Sequence, residues 1–182
     1  MKTWLKLGVA GLVSILSACS SDDESIEPSA PAVSVSEAIV HGALDNGRHP
    51  AVVALLASEG ATQHLCTAIV IAKDVLLTAR HCVAELRTTS IECPAKSSQV
   101  GRPLAAASLS VHLGDDARSG APVAYGRSIH TPYTDLLCDA DIALVTLDRP
   151  LHVKPMVVAR TSRPIVGQSI VSVGFGPSPP RK

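Results

Sequence analysis

The sequence predicts an all-β domain, an antiparallel barrel or sandwich, and three observations carry that prediction. From Ile39 onward, short runs rich in Val, Ile and Leu alternate with Gly-, Pro- and Asp-bearing turn segments, the spacing of strands in a sheet closed or packed on itself. No long amphipathic helix separates them, as crossovers in a parallel sheet would require. Hydrophobic residues make up 46% of the 182-residue chain while aromatics make up 2%, so the core must be built from Val, Ile, Leu and Ala.

In chain order, the first element is not part of that domain. Lys2 and Lys6 precede an apolar run, Leu7 to Leu16, ending in Leu16-Ser17-Ala18-Cys19. A membrane-spanning helix needs about 20 apolar residues, and this run is shorter, so residues 1–19 read as an export signal. Its end resembles the bacterial lipobox, which implies that Cys19 becomes the lipid-bearing amino terminus of a chain anchored in the cell envelope. Ser20 behind it resembles an outer-membrane address. Residues 20–38 are acidic and rich in Ser and Pro, too poor in apolar surface to offset the entropy of ordering. They read as a disordered tether, and the stretch Ser20 to Val35 reaches about 20–24 Å as a coil.

Strands are expected at Ala51–Leu56, Thr67–Ala72, Val75–Thr78, Ser108–Leu113, Ile142–Leu147 and Ser169–Val173. Between them, Glu85 to Ala107 holds Cys93, Pro94 and Pro103 and reads as a long irregular surface loop.

Charge and cysteine usage narrow the function classes. Lys+Arg 16 balance Asp+Glu 16, which leaves no basic excess to neutralise a phosphate backbone, so no nucleic-acid partner is expected. With Cys19 assigned to lipid, Cys66, Cys82, Cys93 and Cys138 remain, an even number in an exported chain, and two disulfides are expected. Four cysteines allow three connectivities, and the sequence does not choose among them. No two lie at the two-to-four-residue spacing of a structural zinc site, and no acidic cluster argues for calcium. Neither metal nor cofactor is expected.

Four stretches in one order resemble the trypsin and chymotrypsin family of serine proteases. Ile39-Val40-His41-Gly42 is similar to that family's mature amino terminus, usually Ile-Val-Gly-Gly. Cys66 through Cys82 resembles the strand, turn and strand ending in Thr-Ala-Ala-His-Cys. Ile129-His130-Thr131-Pro132-Tyr133, followed by Asp141-Ile142-Ala143-Leu144, resembles the approach to the triad aspartate, and Gly174-Phe175-Gly176 resembles the Gly-Trp-Gly that opens the second barrel. The resemblance implies a trypsin-like antiparallel β-barrel domain over residues 39–182, with the first barrel complete and the second truncated. It implies Ile39 as the mature amino terminus, polypeptide substrates and a serine endopeptidase's chemistry. It implies His81 as the general base and Asp141 as the carboxylate that orients it, with Asp139 the alternative. A bridge from Cys82 back to Cys66 would anchor the histidine, and one from Cys93 to Cys138 would pin the long loop near Asp141. His41, His49, His64, His112 and His152 read as surface or satisfied polar residues.

These residue types suit the chemistry because a serine hydroxyl is too weak an acid to attack a peptide carbonyl unaided. An imidazole must take its proton and later deliver it to the leaving amine, and a buried carboxylate fixes the imidazole's tautomer. The chain departs from the family pattern in several places. Only residues 142–182 follow Asp141, whereas the family's serine comes roughly 90 residues later. Ser162, Ser169, Ser172 and Ser178 all lack the Gly-Asp-Ser-Gly-Gly surroundings. Arg80 stands where the family has a small residue, and Ala38 where an activating cut would need Lys or Arg. More residues separate His81 from Asp141 than the family's roughly 45. The proline-rich end, residues 177–182, reads as a truncation or change of frame. The expectation is an inactive, poorly soluble chain, or alternatively a non-catalytic binding module at the cell surface.

Overall fold

Period-two patterning shows directly in the strands. In β1 (Val52–Glu59), Val53, Leu55 and Ala57 point into the core, as alternate residues of a strand must. Gly60, with φ +59°, takes the first position of the two-residue turn into β2 (Thr62–Ala72), where a side chain would strain the backbone. β3 (Val75–Thr78) follows, then β4 (Ala84–Leu86), β5 (Val100–Pro103), β6 (Leu109–His112), β7 (Ala124–His130) and β8 (Ala143–Leu147). The structure is a computed structural model and describes residues 42–176 apart from 96, 118, 119, 161, 162 and 164. Cys19, the tether over 20–38, Ile39 and the chain beyond Gly176 lie outside the described residues.

Six strands close a barrel in the order β1-β2-β3-β8-β7-β6, with β6 returning to β1, every pairing antiparallel. Closure leaves no unpaired ladder edge. Val53, Leu55, Val70, Leu76, Leu109, Val111 and Val145 fill the interior, all fully buried. Aliphatic side chains of this size, each contributing about 1.5–3 kcal/mol, make the core without any aromatic ring.

Three expectations need correcting. The stretch Glu85 to Ala107 is not wholly irregular: Ala84 pairs with Pro103 and Leu86 with Val100 in a small two-stranded sheet, and Pro103 is tolerated because this ladder is only two strands wide. β7 was expected from no hydrophobic pattern, because its inward positions Ala124 and Gly126 are small. Ser169–Val173, expected as a strand, forms none; Ile170 and Val171 are 77% and 78% exposed. A strand needs a partner to satisfy its backbone groups, and no described segment pairs with this one by backbone hydrogen bonds.

Candidate active site

β3 and β8 pair with Thr78 opposite Ala143. In an antiparallel pair, the chain leaving one strand and the chain arriving at the other emerge at the same end. His81 lies just past Thr78 and Asp141 just ahead of Ala143, so the sheet register brings together two residues 60 positions apart. Thr78 ties its strand end to β2 by donating its hydroxyl to the Thr67 carbonyl at 2.9 Å. The backbone then tightens into a 3-10 turn, Arg80–Cys82, closed by Cys82 N to Ala79 O and Val83 N to Arg80 O. A disulfide from Cys82 to Cys66 fixes that turn to β2.

Asp141 grips His81 at two points. One carboxylate oxygen accepts the His81 backbone N–H at 2.9 Å, and the other lies 2.7 Å from ring Nδ1. An ionised carboxylate only accepts hydrogen bonds, so Nδ1 carries the hydrogen of that contact and the Nε2 lone pair is left free. About a third of each side chain is exposed, 33% for His81 and 32% for Asp141, so Nε2 is reachable. The arrangement can accept a proton at Nε2 while the new positive charge faces a carboxylate. Asp139, the alternative, is exposed in a turn at φ 61° and makes no hydrogen bond to His81.

The second disulfide joins Cys93 to Cys138, three residues ahead of Asp141. Gln99 does the same work through its side chain, although nothing in the sequence marks it. It is 5% exposed, its Oε1 accepts from Leu137 N and its Nε2 donates to Glu92 O, both at 3.0 Å. The backbone N–H groups of Gln99 and Val100 both donate to Asp135 O. The segment leading into Asp141 is thus held by one covalent and several polar ties.

Of the other histidines, His49 bonds Asp45 through Nδ1 at 2.5 Å, and His64 and His152 are exposed. His112 departs from expectation: it is 7% exposed, contacts Ser110 Oγ at 3.2 Å through Nε2, and leaves Nδ1 buried without a partner. Arg80 is buried too, at 5% exposure, with Nε and Nη1 lacking any partner. The sulfurs of Cys66 and Cys82 lie close to His81, but being bonded to each other they offer no thiolate to a metal. The larger concavity, about 870 Å³, is lined by Leu44, Asp45, His49, Gly114 and Val173 among others, not by His81 or Asp141. The pair lies outside it, with about a third of each side chain exposed. Ser169 and Ser172 are exposed and neither hydrogen-bonds His81; Ser162 and Ser178 lie outside the described residues.

A family model described as Trypsin matches residues 39–181, a span that takes in the whole closed barrel, both disulfides and the His81–Asp141 pair. No curated protein matches the chain. On a match of that extent, the chain belongs to the trypsin family of serine proteases.

Proposed function

We propose that this chain supplies the base and the orienting carboxylate of a serine endopeptidase, His81 and Asp141, to a nucleophile that lies outside its 182 residues. The observation that carries the reading is the double hydrogen bond from His81 to the Asp141 carboxylate. Nε2 takes the proton of a serine hydroxyl as its oxygen bonds to the peptide carbonyl carbon, and Asp141 stabilises the resulting imidazolium. His81 then protonates the amine as the C–N bond breaks. Water, deprotonated by the same nitrogen, releases the acyl group. Substrates are polypeptides. Without a serine in the family's Gly-Asp-Ser-Gly-Gly setting, the 182-residue polypeptide by itself performs no turnover.

The reading extends to the amino terminus: residues 1–19 export the chain, Cys19 takes lipid and anchors it to the envelope, and residues 20–38 tether the domain from Ile39 on. A second reading is a non-catalytic surface module that binds protein. A fluorophosphonate probe separates the cases. It should leave the 182-residue chain unlabelled and label a serine once the chain is joined by a polypeptide carrying Gly-Asp-Ser-Gly-Gly. Labelling of the 182-residue chain alone overturns the reading of inactivity. Failure to label any such assembly favours the binding module.

A further inference from the structure

The sulfurs of Cys66 and Cys82 and a ring nitrogen of His81 all lie within 4.8 Å of one another, although the three residues come from two places in the chain. Cys66 stands in β2, while His81 and Cys82 are neighbours in the 3-10 turn that the disulfide fixes to it. A tetrahedral zinc ion, with Zn–S about 2.3 Å and Zn–N about 2.0–2.1 Å, spaces such donors about 3.5–3.8 Å apart. Side chains already this close reach that arrangement by small rotations once the sulfur–sulfur bond is absent. The imidazole is also prepared for a metal. Asp141 holds Nδ1 at 2.7 Å, which leaves the Nε2 lone pair free and supplies the carboxylate partner that metal-bound histidines ordinarily have. Cys66 and His81 are only partly buried, which gives a reductant and an ion access to the cluster.

We propose that Cys66, Cys82 and His81 form a zinc site in the dithiol state of this chain, with water in the fourth position. A chain is synthesised with its cysteines as thiols and acquires disulfides only in an oxidising space, so the dithiol state precedes the bridged one. A phosphine regenerates it: two electrons pass from phosphorus to the two sulfurs, and one water gives its oxygen to the phosphine oxide and its two protons to the thiols. Zinc binding then forms two S–Zn bonds and one N–Zn bond and releases both thiol protons to solvent. The ion takes the Nε2 lone pair that would accept a serine proton, so the loaded chain has no free base. That consequence rests on the protease reading; the site itself does not.

The test titrates Co²⁺, a spectroscopic substitute for zinc, into the 182-residue chain with and without a water-soluble phosphine. The reduced chain should develop the thiolate-to-cobalt charge-transfer band and the strong visible absorption of tetrahedral cobalt, saturating at one ion per chain, and the oxidised chain should develop neither. Zn²⁺ should displace the cobalt. At about 100 times its dissociation constant it should raise the thermal midpoint of the reduced chain by about 5–10 °C, or restore its far-ultraviolet circular dichroism if reduction alone unfolds it. Asp141→Ala should weaken binding about 10–100-fold, His81→Ala should weaken it further, and C66S/C82S should abolish it, whereas C93S/C138S should bind as wild type does. A reduced wild-type chain without the cobalt spectrum overturns the proposal, as does an oxidised chain that shows it. So does H81A binding as tightly as wild type, which would mean that thiols alone hold the ion. Binding that survives in C66S/C82S, or is lost in C93S/C138S, assigns the ion to other cysteines and also overturns it. None of these readouts needs turnover, so they fail independently of fluorophosphonate labelling, which tests the protease reading itself.

Discussion

Replacing Cys93 and Cys138 together by serine isolates the contribution of loop closure near the candidate active site. Cys93 is exposed and Cys138 half-buried, so the change removes little packing, and the effect falls on the unfolded chain. The bridge closes a loop of 45 residues, which in the chain-entropy account corresponds to about 4 kcal/mol at 25 °C. The folded state should keep its geometry, because Gln99 still bonds Leu137 and Glu92 and the Asp135 carbonyl still receives two backbone N–H groups. With a urea m-value of about 2 kcal/mol per molar, the midpoint should fall by about 2 M, read by far-ultraviolet circular dichroism. Adding Gln99→Ala should then destabilise further by leaving the buried Leu137 N–H unpaired, about 1–3 kcal/mol. A loss below about 1 kcal/mol from the double cysteine variant would refute the argument that the bridge acts by constraining the unfolded chain.

Other outcomes follow from single features. Gly126→Ala should cost about 1–3 kcal/mol, because a β-carbon there would press into the Ala106 carbonyl and against Leu109; unchanged thermal stability would contradict it. Asp141→Asn in an assembled, serine-bearing enzyme should lower kcat about 10⁴-fold, the size of this change in the family's archetype, with a steady-state peptide assay as the check. The His49 ring and backbone N–H groups hold the Asp45 carboxyl below the ordinary aspartate range, and the Arg149 guanidinium and Tyr125 N–H do the same for Asp148. Since both folded-state values are depressed, their stabilisation is complete above the ordinary value of about 3.9. It is lost as pH falls through the lowered values; carbon-13 titration of the two carboxyls should give midpoints below those in the urea-unfolded chain.

Strands with large alternating aliphatics were readable before any coordinates: Val75–Thr78 matches residue for residue, and Ile142–Leu147 differs from β8 by one. β7 escaped because its first inward residues, Ala124 and Gly126, are too small to register as hydrophobic, and a bulge after Gly126 breaks the period of two before Ile129 turns to the core. β4 and β5 escaped because each is stabilised by a partner distant in sequence. Ser169–Val173 misled in the opposite sense, since local preference for strand means little without a neighbour. The candidate pair was legible only through motif order, because no local pattern says that Asp141 will meet His81. Gln99 and the orphaned state of Arg80 depend on burial, which composition does not reveal.

The pairing of Thr78 with Ala143 makes proton-transfer geometry a property of sheet alignment. Sliding β8 by a single residue against β3 would displace Asp141 by about 3.3 Å and turn its side chain to the opposite face, dissolving the grip on the imidazole without altering either residue. Selection on this site therefore reaches as far as Leu76 and Val145, which face each other mid-strand with no part in the reaction, since their fit in the core keeps the two strands from slipping.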